Sequence, residues 1–228
     1  MMYGPQHIYI NAKKRRVHKR DKRKLLEEGF KIDKYEVEAC VGRGGFGDIY
    51  GVKVADSNKI LALKLEPVEG KSNLLKEIEF LKRLQDSLNF PIYYDDGVTD
   101  QYRYLVMELL GPSLSSTRRE MKHCHFSLST TLRIGIKMLR CLEQVHKHGI
   151  IHCDVKPGNF LLRPDCLHSL VLVDFGLAQF YIHHKTGKHK KFKIYNGFNG
   201  TMKYASLNSM NESSLSRRDD LYSWFYMK

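Results

Sequence analysis

The stretch "GIIHCDVKPGNFLL" (149–162) sets Asp154, Lys156 and Asn159 within a few positions, with apolar runs on both sides. The three residue types divide the work of one reaction. A carboxylate accepts or orients the proton of an attacking hydroxyl, an ammonium offsets charge on a phosphoryl group in transit, and an amide oxygen ligates a metal. A second carboxylate, Asp174 in "DFG" (174–176), follows the apolar run "SLVLV". At a strand end it suits Mg²⁺, which takes few protein oxygens beside phosphate oxygens.

Upstream, "GRGGFG" (42–47) places Gly42, Gly44 and Gly47 in a G-x-G-x-x-G pattern. It falls between two strand-like segments rather than between a strand and a helix, which argues against a dinucleotide-binding fold. A glycine-rich hairpin can bring backbone N–H groups close over phosphates, although a plain turn satisfies the same pattern. Lys64 in "LALKLE" lies on the third strand-like segment, where an inward ammonium is costly unless paired. Its candidate partners are a phosphate and Glu77 on the following helix; taken alone, the pair also fits an exposed Lys and an exposed Glu.

These groups need a frame. "YEVEACV", "DIYGVKV" and "ILALKLE" read as three consecutive strands by their alternation and β-branched content. In "KSNLLKEIEFLKRLQDSL" the spacing of Leu74, Ile78, Leu81 and Leu88 predicts an amphipathic helix with Ser72 as its cap. Two further strands are predicted at "PIYYDDGV" and "YRYLVMELL", before "GPSL" interrupts the pattern. The longest predicted helix spans 128–147, with Leu132, Ile136, Leu139 and Leu142 on one face and Gly149 just past its end. The fold class is α+β: an antiparallel sheet lobe with one main helix (34–110, including the connecting segment), then a mainly helical lobe (111–228), preceded by a basic extension (1–33).

The chain of 228 residues carries a formal charge of +13, much of it in "KKRRVHKRDKRK" and "HHKTGKHKKFK". Such runs attract polyanions or acidic substrates, or serve as a nuclear address; a solvated basic surface accounts for them equally well. No nucleic-acid fold signature accompanies the charge, so a specific nucleic-acid partner is not expected. The five cysteines show no C-x-x-C pair, which favours reduced thiols. With no apolar run long enough for a membrane span and no secretory pattern at the N-terminus, a cytoplasmic or nuclear location is expected.

Taken together, the glycine-rich loop, Lys64, Glu77, H-x-D-x-x-x-x-N and D-F-G resemble a eukaryotic protein kinase over roughly residues 34–228. "VMELLGPSL", "KPGNFLL", "GTMKYASLN" and "SRRDDLYS" are similar to the casein kinase I group, with features of tau-tubulin and vaccinia-related kinases. The resemblance implies a bilobal fold and transfer of the γ-phosphoryl group of Mg-ATP to Ser/Thr hydroxyls of protein substrates. Asp154, Lys156, Lys64 and Glu77 take the catalytic positions, and Asn159 and Asp174 the metal positions. Gly42, Gly44 and Gly47 cover the phosphates; Ile49, Ala62 and Leu161 surround the adenine; Glu108 to Leu110 form the hinge, with Met107 as gatekeeper. His152, Phe175 and Leu81 match an internal stack, and Asp220 a buried support beneath the catalytic loop.

The sequence also departs from that pattern. Cys153 stands where the family usually has an Arg that pairs with a phosphorylated activation segment, so a regulatory contact is expected to be lost, and a reactive-thiol role is the alternative. Lys203 occupies one position of a basic pocket associated with acidic or phosphorylated substrates, whereas Asn196 stands at another. The chain ends before several helices that kinases of this group carry, so a truncated C-terminal lobe is expected, leaving Trp224, Phe225, Tyr226 and Met227 short of packing partners. A nucleotide-binding scaffold without turnover is the competing expectation.

Overall fold

Alternating apolar and polar residues build the first lobe as a six-stranded antiparallel sheet in the order β1-β2-β3-β4-β6-β5. Its strands are β1 (Lys31–Ile32), β2 (Tyr35–Gly44), β3 (Gly47–Val54), β4 (Ile60–Pro67), β5 (Tyr93–Val98) and β6 (Tyr102–Met107). The computed structural model describes residues 23–45, 47–54, 57, 59–164, 166–183, 185–194 and 197–227. Most of the basic run at 13–24 and Asn196 lie outside them. Within the predicted extension, residues 31–32 form β1, and Leu25 and Leu26 pack against the sheet core of Tyr35, Tyr50, Val52, Leu63 and Val106.

One helix, α1 (Leu74–Arg83), lies against the other face and buries Leu74, Glu77, Ile78, Phe80 and Leu81. Asn73 holds the N-cap position, and Ser72, the predicted cap one residue earlier, supplies the side-chain oxygen, its Oγ accepting the Leu75 N–H at 3.2 Å. Glu66 at the end of β4 adds a cap, accepting from the N–H groups of Asn73 and Leu74 and from the Ser72 hydroxyl. A carboxylate at a helix N-terminus satisfies donors that have no partner inside the helix and complements the helix dipole. The strand therefore fixes the helix that carries Glu77.

The helix ends before Leu88, which is 74% exposed and not part of the buried face as predicted. The cause is Gln85, whose Nε2 donates to the carbonyls of Leu81 at 2.9 Å and Pro91 at 3.0 Å while its Oε1 accepts the Tyr93 N–H. Those bonds end the helix and turn the chain into β5.

The second lobe contains α2 (Leu114–Glu120), α3 (Leu128–Lys147), α4 (Leu207–Met210) and α5 (Arg217–Phe225). Between α3 and α4 run the short strands β7 (Ile150–Ile151), β8 (Phe160–Arg163), β9 (Cys166–Leu172) and β10 (Gln179–Phe180), paired β7 with β10 and β8 with β9. Ser127 caps α3, and Gly149 follows its end at φ +73°, where a Cβ would lie 2.4 Å from Ile182. The bounds of α3 match the sequence expectation, and the face carrying Leu132, Ile136, Leu139 and Leu142 is only partly the buried one. Met138, Cys141, Leu142 and Val145 are buried, whereas Leu132 and Ile136 are more than half exposed and Leu139 is intermediate. The helix bears two apolar stripes that meet at Leu142, and the one facing β7 and β9 forms the core. At α5, Trp224 and Met227 do find partners: both pack on the core, and the Trp224 indole donates to the Gly135 carbonyl at 3.2 Å. Phe225 and Tyr226 remain exposed. Among the described residues, no helix is long and apolar enough to cross a membrane.

Candidate active site

The glycine motif closes the hairpin between β2 and β3, with Gly42 opposite Ile49 and Gly44 opposite Gly47. A Cβ at Gly47 would approach the Leu65 carbonyl oxygen to 2.5 Å, so this backbone packs too tightly on β4 for any side chain. One residue along the paired strand, Lys64 turns inward. Its Nζ lies 2.6 Å from Glu77 Oε2 and 2.9 Å from Asp174 Oδ1, which rules out the exposed alternative for the pair. Burial alone would lower the Lys64 pKa, but the two carboxylates override it and hold the ammonium above its ordinary value. Burial pushes the Glu77 carboxyl up against the pull of Lys64. Asp174 ends below its ordinary value, because the Lys64 ammonium outweighs the effect of burial.

On the second lobe, Asp154 is buried at the cleft with both carboxylate oxygens engaged. The Thr201 hydroxyl donates to Oδ1 at 2.7 Å, the Lys156 ammonium donates to Oδ2, and Lys156 also reaches Thr201 Oγ1 at 3.0 Å. Asn159 Nδ2 donates to the Asp154 carbonyl at 2.9 Å, and the Val173 N–H donates to the Asn159 carbonyl at 2.9 Å. Asn159 and Asp174 are thereby kept side by side. Their amide and carboxylate oxygens are hard donors of the kind Mg²⁺ prefers, and two protein ligands suffice for an ion that also binds phosphate. Thr201 was missed in the sequence: it sits in "GTMKYASLN", a segment recognisable as a whole, but nothing local shows its hydroxyl returning to Asp154.

Asp220 supports this loop from α5. Its carboxylate accepts the N–H groups of His152 and Cys153, each at 2.9 Å, and lies 2.8 Å from His146 Nε2. His152 is fully buried, with Nε2 3.0 Å from the Val173 carbonyl and Nδ1 3.3 Å from the Asp154 N–H. Those partners call for the neutral ring with its proton on Nε2. Its ring meets Phe175 edge to face at 5.1 Å, and Phe175 meets Phe90 at 5.8 Å. Leu81 belongs to the same core.

Cys153 sits at φ +65°, with its Sγ accepting from Gln179 Nε2 at 3.4 Å. Burial, and then the Asp220 carboxylate, push the thiol well above its ordinary value. Both effects work against the thiolate that a reactive-thiol role requires. With iodoacetamide at pH 8, exposed Cys124 is expected to alkylate at least about tenfold faster than Cys153. Peptide mapping against time checks this, and equal rates would contradict it.

Where β6 leaves the sheet, Met107 pairs with Ala62 across the strands. The Glu108 N–H donates to the Ile92 carbonyl at 2.8 Å, and Leu110 is buried. Leu161 on β8 bridges Ser113 below this connection, and Ile49 packs on the core from β3. Ile49, Ala62, Glu108, Leu110 and Leu161 thus belong to the segments that meet where the lobes join. Lys203 is exposed beyond the far side of the loop, its ammonium over the Tyr204 ring.

A family model described as the protein kinase domain matches residues 35–226. A probable serine/threonine-protein kinase of Dictyostelium discoideum is 39% identical to this chain over 197 residues, which cover 85% of the chain and 40% of that protein.

Proposed function

Since the chain belongs to the protein kinase domain family, we propose that it transfers the γ-phosphoryl group of Mg-ATP to Ser/Thr hydroxyls of proteins. The observation that carries the proposal is Asp154, fixed between Lys156 and Thr201 beside Asn159 and Asp174. Bound Mg-ATP supplies the phosphoanhydride bond that breaks. Asp154 orients the incoming hydroxyl and takes its proton as the new O–P bond forms. Lys156 faces the anionic charge that spreads over the group in transit. Asn159 and Asp174 would hold the metal, Lys64 would face the nucleotide phosphates, and the β2–β3 hairpin would cover them. Ile49, Ala62 and Leu161 line the adenine position beside the hinge from Glu108 to Leu110.

Substrate choice follows charge. Lys203 two residues beyond Thr201, with Lys190, Lys191 and Lys193 all exposed, supports a preference for acidic or already phosphorylated acceptors. The Y-A-S-L-N segment supports the proposal that the chain belongs to the casein kinase I group.

Incubation of the folded chain with Mg²⁺, γ-labelled ATP and casein is expected to label Ser/Thr. An acidic peptide should outperform its Lys-substituted counterpart by roughly tenfold at low salt, and by less at high salt. Nucleotide binding without transfer would instead establish a scaffold without turnover.

A further inference from the structure

We propose that Arg163 is a positioning residue that sets the adenine end of the cleft by clamping the hinge to the second lobe, an inference that rests on the nucleotide site proposed above. In the sequence it is one basic residue in "FLLRPD", where a solvated side chain would be the ordinary expectation. Its side chain is instead only 14% exposed, and each N–H of the guanidinium meets an acceptor.

Nε and Nη2 grip the Glu108 carboxylate at 2.7 and 2.9 Å as a two-pronged pair. Nη1 donates to the Leu88 carbonyl at 2.6 Å and to Ser169 Oγ at 3.2 Å, and Nη2 also donates to the Phe90 carbonyl at 3.1 Å. All five donors that an Arg side chain offers are used. Glu108 Oε2 further accepts the Ile92 N–H at 3.2 Å. One side chain therefore ties together the hinge, the turn between α1 and β5, and the β8–β9 hairpin.

The neighbour of Arg163 completes the device. The Gly111 N–H donates to the Leu162 carbonyl at 2.7 Å, so the stretch 108–111 is pinned at its start by residue 163 and at its end by residue 162. Leu161, next in line, is the adenine-lining candidate. A single strand thus presents the floor of the pocket and fixes the backbone at its edge. The worth of such a clamp is geometric, because a largely buried ion pair contributes little net stability while fixing position. A flat, two-pronged grip is also something a Lys cannot copy.

The test is calorimetric binding, with each variant held below its melting temperature. Arg163→Met and Glu108→Gln should each weaken Mg-ATP by about tenfold, equivalent to about 1.4 kcal/mol. Their combination should be no worse than either alone, because both break one clamp. Arg163→Lys should recover only part of the loss. Mg-tripolyphosphate, which lacks the adenosine, should bind all forms alike, and this separates a hinge effect from general damage to the fold.

Variants that bind Mg-ATP as the parent does, whatever their melting temperature, would overturn the proposal, as would an equal loss for tripolyphosphate. If Arg163→Met does not fold, the shape-conserving Glu108→Gln and Arg163→Lys decide by the same criteria. A folded parent that binds no Mg-ATP would remove the nucleotide site itself, an outcome distinct from a parent that binds and variants that bind equally.

Discussion

Replacing Asp154 by Asn is expected to slow phosphoryl transfer by roughly 10²–10⁴-fold, the range in which a positioned proton acceptor contributes, while changing Mg-ATP affinity by less than about threefold. In the parent, Oδ1 takes the Thr201 hydroxyl and Oδ2 takes the Lys156 ammonium. The Asn amide keeps one acceptor and turns two N–H donors toward one of those partners. It therefore loses the proton acceptor and also sets donor against donor. Affinity should survive because the proposed nucleotide end, at Lys64, Asp174 and the glycine hairpin, does not include Asp154. Single-turnover transfer and calorimetry on the same sample provide the check. Transfer within about threefold of the parent would remove Asp154 from the reaction, and a parallel collapse in affinity would make it a structural residue. Thr201→Ala, which leaves the carboxylate in place, should cost far less.

What the sequence made legible was whatever local pattern controls. Strand alternation located β2 to β6, and the spacing of Gly42, Gly44 and Gly47 located the first hairpin, because each depends on a few neighbouring residues. Lys64 and Glu77 could be named as candidates but not joined, since burial of both is set by β4, α1 and the segment after β9 that carries Asp174 together. The extent of α1 was misread because Leu88 continues its apolar rhythm, whereas Gln85 ends the helix with bonds that only the folded chain supplies. In α3, two apolar stripes competed for one core. Periodicity reports that a face is apolar but not which neighbour will cover it.

The remaining site residues were hidden for a shared reason. Glu66, Thr201, His146 and Arg163 are polar residues at strand ends, on loops or near a helix end, where solvated side chains are the rule. Glu66 acts on the helix start just beyond it, but the other three act through partners distant in sequence, Arg163 with Glu108 over 55 positions and Thr201 with Asp154 over 47. Asp220 was legible only because the resemblance supplied its role. Its position on α5 then proved to hold two consecutive backbone N–H groups of the loop that carries Asp154.

Lys64→Met is the second large effect, and it has a signature beyond lost rate. The ammonium bridges Glu77 and Asp174, so its removal leaves a buried and a partly buried carboxylate with no cation between them. In the parent, burial raises the Asp174 carboxyl but Lys64 overrides it, and the group stays charged through the neutral range. Without Lys64 the burial effect is opposed only by the lesser pull of remaining positive groups such as Lys156, and the Asp174 pKa must rise; proton and the proposed metal then compete for one carboxylate as the pH falls. Transfer should drop by roughly 10²–10³-fold at pH 7.5, as for loss of one preorganised charge. Its acid limb should also begin at a higher pH than in the parent. Adding Glu77→Gln should move that limb part of the way back, because the remaining carboxylate no longer faces a second one. A rate–pH profile from pH 5.5 to 8 at saturating Mg²⁺ measures all three. A uniform loss with an unmoved acid limb would mean that Lys64 acts on the nucleotide alone and does not hold Asp174 ready for metal.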